Sequence, residues 1–280
     1  MSISGLMLRY NLVIRKITTQ EFKMSYTDID AAGDLQGEYL LYEFLMEKST
    51  EQQCIYLFVE GESEEIAFPI LLDGAGIVYY DIGLKIANYN GIGNLKHALR
   101  LLNNTLSNDR PVIVTYDNDE DGTRVVKQIS NNDYNNDLIR LFPIPSVEKV
   151  IYNNNHKGGS FEEIFTPKYF IDCCFSEAIM NTGLINKKKE FLIIFDKKKP
   201  WFNQVKKYCA QNGYFDFSSK KTALAENLAC NCERFPRTII SLVSLIKKVR
   251  KEYPVTHPEH DFYKKCRYKY PSAKAHSFLV

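Results

Sequence analysis

The chain has 280 residues, 45% hydrophobic and 25% charged, enough to bury a sizeable core, which excludes general disorder. No run of about 18 apolar residues occurs, and the opening MSISGLMLRYNLVIRK lacks a leader's basic, apolar and small-residue layout, so the expectation is a cytoplasmic protein with no membrane association. The net charge of +2 conceals an acidic front, with 15 Lys+Arg against 26 Asp+Glu in residues 1–186, and a basic back, with 21 against 8 in residues 187–280.

Residues 1–50 read as an N-terminal extension that ends in LQGEYLLYEFLMEK, whose apolar spacing suits a helix. From Cys54 the pattern changes. CIYLFVE has strand length and composition, SEEIAFPILLDGA is helix-like, IVYYDIG reads as a second strand, and NLKHALRLLNNTL as a second helix. RPVIVTYD and DLIRLFPIP supply a third and a fourth strand. This alternation predicts an α/β fold, a parallel sheet with helices on its faces, and such sheets place their chemistry at the carboxyl ends of strands.

Residues 145–159, rich in Asn and Gly, read as a loop or insertion. EFLIIFD then looks strand-like, while SSKKTALAENLAC and FPRTIISLVSLIKKVRKEY look helical, which gives the basic C-terminal part a helical character. That part suits phosphate groups, and a proteome rich in Lys and Asn is the plain alternative. Residues 251–280, with several prolines among basic and aromatic residues, read as a tail. Seven cysteines without scaffold spacing are expected to be reduced thiols, mostly packed as small hydrophobes.

The chemistry concentrates at two strand ends. Glu60 closes the first strand and is followed by Gly61, which permits a sharp turn, and Glu62, Glu64 and Glu65 come next. The third strand ends in VTYDNDEDG, so Asp117 and Asp119, two residues apart, point toward the same edge. Carboxylates held together raise each other's pKa and destabilise the fold unless a cation neutralises them. Mg²⁺ or Mn²⁺ suits this all-oxygen donor set better than zinc.

The VEGESEE stretch and the DNDEDG stretch together resemble the acidic signature of the TOPRIM domain of topoisomerases, primases and nucleases. Four further features are similar to the OLD-family (overcoming lysogenization defect) nuclease domain. They are the Glu60-x-x-x-Glu64 opening, the YNGIGNL loop, a Ser-x-Glu in GGSFEEIF and a late Lys-x-x-x-Ala in KTALAENLA. The resemblance spans residues 53–249, and residues 51–250 are taken as the domain. It implies a Rossmann-like TOPRIM sheet and a two-metal nuclease. In that reading Glu60, Glu64, Asp117, Asp119 and Glu162 supply carboxylates, Ser160 supports the site, and Lys221 neutralises charge at the scissile phosphate. Glu163 is an alternative to Glu162, and Lys220 to Lys221. OLD proteins often fuse this domain behind an ABC-type ATPase. Residues 1–50 are too short to hold one, so the resemblance implies an antiphage effector working with a separate ATPase or sensor. Its substrate would be DNA or, alternatively, RNA such as tRNA, and the chain would act in a homo-oligomer or larger assembly.

Other residues have plainer readings. Glu62 and Glu65 suit the exposed first turn of a helix, and Asp121 before Gly122 suits a turn or a third metal oxygen. Ser160 with Glu163 is a capping box or part of the metal site. Trp201, between lysines, is a core aromatic or a base-stacking platform. Cys230, Cys232, His257, His260 and Cys266 match no common zinc template, and no phosphate-binding GxxxxGK[ST] loop occurs. A catalytically silent interaction subunit is the non-enzymatic alternative.

Overall fold

The structure is a computed structural model that describes residues 46–78, 82–152, 156–213 and 216–256. Most of the expected N-terminal extension and C-terminal tail, together with His257, His260 and Cys266, lies outside these residues. Strand β1 (Ile55–Val59) leads into helix α1 (Glu62–Gly74), followed by β2 (Leu84–Asn88), α2 (Leu95–Asn103), β3 (Val112–Asp117), α3 (Glu120–Val126) and β4 (Ile139–Ile144). The four strands form one parallel sheet in the order β2-β1-β3-β4, with Val59 opposite Asn88 and Asp117 opposite Ile144.

Alternation along the strands builds a core on each face. Ile55, Leu57, Val59 and Ile113 join Phe68, Leu71 and Leu72 of α1 and the later helices on one side. Phe58, Val112, Val114 and Tyr116 meet Leu95, Leu99 and Leu102 of α2 and Val126 of α3 on the other. Strands buried on both faces account for the near-continuous apolar runs in the sequence. Because β1 has β2 on one side and β3 on the other, connections leave β1 in opposite directions, and a crevice opens at the carboxyl ends of β1 and β3.

The remaining elements are helical apart from one ribbon. Val150–Ile151 (β5) pairs antiparallel with Lys157–Gly158 (β6) inside the segment expected to be a loop. Then come α4 (Pro167–Cys174), α5 (Thr182–Ile185), α6 (Lys188–Ile194), α7 (Trp201–Gln211), α8 (Lys221–Cys230) and α9 (Arg237–Glu252). Helix α8 packs on α1 through Leu224, Ala225, Leu228 and Ala229.

Two expectations are corrected. The second strand runs over Leu84–Asn88, and the described residues of IVYYDIG, 77, 78, 82 and 83, lie in no strand, while 79–81 lie outside the described residues. Ile77 is buried and its N–H closes the end of α1 on Leu72 O at 2.9 Å, and Gly83, at φ +67°, turns the chain into the strand. EFLIIFD lies mostly in helix α6 instead of a strand. Short apolar runs do not separate the two by periodicity, and here packing of Phe191 between Phe175 and Tyr208, at 5.2 and 5.1 Å, decides. The described cysteines carry no disulfide.

Candidate metal centre and nuclease site

Glu60 leaves β1 at the crevice and its Oε2 accepts from the N–H of Asp117 at 3.0 Å, which ties the two strand ends together. Gly91, at φ +91°, donates its N–H to Glu60 O at 2.7 Å, so the YNGIGNL loop seals the same edge. One turn into α1, Glu64 is only 4% exposed and its Oε2 accepts from Gly61 N at 3.2 Å. Asp117 ends β3, and its Oδ1 is buried without a hydrogen-bond partner. Asp119 caps α3, its Oδ1 accepting from Gly122 N at 2.7 Å. Any side chain at position 122 would drive a Cβ into Asp117 O, so glycine lets the helix start directly against the strand end.

The β5–β6 ribbon delivers the next carboxylate. Gly158 lies so close to Asn118 O that no Cβ fits, and Asn118 N donates to Gly159 O at 2.8 Å. His156 Nε2 also contacts Asn118 O, at 3.0 Å. Ser160 therefore follows directly beside the Asp117–Asp119 turn. It caps the short 3-10 turn Phe161–Ile164, and its Oγ donates to Glu162 Oε2 at 3.0 Å. Glu163 faces elsewhere, accepting from Ser160 N at 3.1 Å, Tyr152 Oη at 2.7 Å and Trp201 N at 3.2 Å. Ser160 thus contributes both to the cap and to the acidic cluster, and Glu162, not Glu163, joins the other carboxylates.

Electrostatics shows how closely these groups sit. Burial pushes Asp117 well above the usual carboxylate range, and Glu64, Glu60 and Glu162 push it further. Glu64 is raised to about 7, by burial and then by Glu162. Glu60 is also raised by burial, with the backbone N–H groups of Asp117 and Ile92 opposing. Lys221 opens α8, and its ammonium is held above its ordinary value first by Glu162 and then, against desolvation, by Glu64, Asp117 and Glu60. The same ammonium lies 5.8 Å from the Phe202 ring centroid. Four carboxylates and one lysine therefore share one field.

With that geometry established, residues 55–119 match the family described as overcoming lysogenization defect protein-like, TOPRIM domain. Residues 55–119 are thus similar to an OLD-like TOPRIM domain. The C-terminal region of the Xanthomonas campestris pv. campestris OLD protein is 15% identical, with 71% of this chain and 94% of that one covered and a TM-score of 0.43. For the C-terminal region of the Burkholderia pseudomallei OLD protein the identity is 14%, the coverage 70% and 98%, and the TM-score 0.39. No curated protein matches the chain.

At this site the carboxylates are neighbours, not a closed cage. Among the described residues no three His, Cys, Asp or Glu side chains converge to hold an ion as they stand. The hydrogen bonds give the reason, since Glu60, Glu64, Asp119 and Glu162 each turn one oxygen to a nearby N–H or hydroxyl donor. The orphaned Asp117 Oδ1, the crowding and the all-oxygen donor set fit a hard divalent cation. TOPRIM domains typically bind such metals.

The remaining sequence candidates separate clearly. Glu62 and Glu65 are exposed, with Asn88 Nδ2 donating to Glu65 Oε2 at 3.1 Å. Asp121 pairs with Arg124 at 2.6 Å on the surface. Trp201 is fully buried against Phe170 and Phe195, its Nε1 donating to Lys197 O at 2.9 Å, so it is a core residue. Sequence reasoning missed Tyr89, whose buried hydroxyl donates to Thr115 O at 2.9 Å and is pushed upward by burial and by Glu60, Asp117 and Glu64. It also missed Asn118 and His156, and only the run of glycines at 158 and 159 hinted at a close approach there.

Proposed function

We propose that the chain is a metal-dependent endonuclease that cuts phosphodiester bonds, DNA before RNA. The observation that carries this reading is the unpartnered, buried Asp117 Oδ1 among Glu60, Glu64 and Glu162, with Lys221 drawn toward them. Glu60, Glu64, Asp117, Asp119 and Glu162 would hold two Mg²⁺ or Mn²⁺ ions. When bound, such a pair supplies an activated water and stabilises the leaving oxygen of an in-line displacement. The chain's own residues do the rest. Ser160 Oγ orients Glu162, the Asp117 N–H fixes Glu60, and Lys221 offers positive charge to the phosphate as its negative charge grows.

Such a site admits a phosphate backbone, and the excess of Lys and Arg after residue 186 supports nucleic acid as the partner. By resemblance to OLD proteins, the chain acts as an antiphage effector in the cytoplasm, in a homo-oligomer or alongside a separate ATPase or sensor. Among the described residues no helix is long and apolar enough to cross a membrane. The test is cleavage of supercoiled plasmid and of total tRNA with Mg²⁺, Mn²⁺ or EDTA, comparing the wild type with Asp117→Ala/Asp119→Ala. Cutting that needs metal and vanishes in the double variant supports the reading, and the substrate cut gives its class. Cutting that survives in EDTA or in the double variant refutes it.

A further inference from the structure

A second recess lies in the helical part of the chain. It has a volume of about 1140 Å³ and is lined by α4, the segment between α8 and α9, and the first turn of α9. Cations and aromatic rings alternate along its lining. Lys168, Arg234 and Arg237 are exposed on its wall, and among the described residues none is held in an ion pair. Of the acids beside them, Asp172 is paired with Lys188 at 2.7 Å, which leaves Glu233 against three cations.

Helix α9 adds to this positive end. It is 16 residues long, starts at Pro236 with no capping side chain, and has no acidic residue in its first turn. Arg237 and Thr238, at its first two positions, both line the recess. An uncapped helix start flanked by arginines is a phosphate-binding arrangement. The same segments carry aromatic rings. Phe165 and Tyr169 lie 5.6 Å apart at 40°, and Phe235 is seated so tightly on Gly74 that no Cβ fits between them. Tyr169 and Phe235 are half-buried and offer ring surface to a base, while Phe165, 3% exposed, backs Tyr169 from the core. The volume exceeds what a mononucleotide needs, since ligand pockets typically span about 300–1,000 Å³.

We propose that this recess is a nucleotide-binding site, with phosphate at Lys168, Arg234, Arg237 and the start of α9, and the base against Tyr169 and Phe235. It is separate from the acidic centre, although the Phe161–Phe165 turn borders both, carrying Glu162 at its start and Ile164 and Phe165 at its end. The nucleotide is either free or one unit of a nucleic-acid strand, and the experiment separates the two.

Calorimetric titration of the full chain is run with ATP, with inorganic phosphate and with a single-stranded oligonucleotide, on the wild type, Arg234→Ala/Arg237→Ala and Asp117→Ala/Asp119→Ala. Both arginines are exposed, and a thermal melt checks that the first variant stays folded. A free-nucleotide site binds ATP and loses about tenfold or more in the arginine variant, a typical loss for two charge-assisted contacts. A strand-unit site shows the same loss for the oligonucleotide, with ATP binding much more weakly. The acidic-centre variant keeps the same dependence on the two arginines, for ATP and for the oligonucleotide alike, so failure of the nuclease reading leaves this result intact. Binding unchanged in the arginine variant, binding absent throughout, or inorganic phosphate binding as tightly as ATP would overturn the proposal.

Discussion

Replacing Glu64 by Gln tests whether the acidic centre is held together against its own charge. Glu64 is buried, and its carboxyl is raised from 4.5 to about 7 by burial and by Glu162. Each tenfold in proton affinity is about 1.4 kcal/mol, so ionising Glu64 in the metal-free fold costs about 3 kcal/mol more than in water. The folded chain keeps this proton after the unfolded chain has released it. The stabilising contribution is therefore present below pH 4.5 and is lost as pH rises toward 7. The amide of Glu64→Gln carries no charge and still accepts from Gly61 N. In EDTA the variant should match the wild type near pH 4 and exceed it by about 1–3 kcal/mol near pH 8, as read by urea denaturation. Adding Mg²⁺ at about a hundred times its dissociation constant should return about 2.7 kcal/mol to the wild type and less to the variant. A difference of the same size at both pH values, or a variant less stable at both, would refute the argument.

Lys221→Met should lower kcat about a hundredfold or more in a plasmid-nicking assay with little change in KM, because its charge acts on the developing phosphate charge. Asp119→Ala should abolish cleavage and also cost about 1 kcal/mol of stability in a thermal melt through loss of the Gly122 cap. Gly122→Ala should destabilise the fold by several kcal/mol and lower metal affinity in a titration, because its methyl group meets Asp117 O. Trp201→Ala should cost about 3–5 kcal/mol in denaturant, and any variant that stays folded should keep its affinity for nucleic acid.

Much of the first half of the fold was legible because strand-and-helix alternation follows burial. β1, α1, α2, β3 and β4 fall where the apolar pattern places them, since a strand covered on both faces needs a continuous apolar run. Glu60, Asp117 and Asp119 were legible for a related reason, as polar residues that interrupt such runs at the carboxyl end of the sheet. The second strand was misplaced because IVYYDIG and LKIAN are both short apolar runs, and the choice between them depends on Gly83 and on the return of Ile77 to α1. EFLIIFD was misread because Phe191 is held by rings distant in sequence, Phe175 and Tyr208. The separation of Glu162 from Glu163 was invisible for the same kind of reason, since Tyr152 and Trp201 claim Glu163 through contacts that no local spacing announces.

The sheet sets carboxylates beside one another, and backbone placement limits the resulting strain. Glu64 sits in the first turn of the 13-residue α1 and Asp119 at the start of α3, where unpaired N–H groups favour negative charge. The Asp117 N–H serves Glu60 in the same way. These donors each occupy one carboxylate oxygen and leave Asp117 Oδ1 without a partner, so the backbone compensates the cluster incompletely. Lys221 brings one positive charge to four carboxylates, so it offsets their repulsion only in part. The residual repulsion is the property a divalent cation would relieve. The proposed metal site therefore rests on this residual repulsion and not on hydrogen bonds that would satisfy the cluster by themselves, and the pH dependence of Glu64→Gln separates those two descriptions.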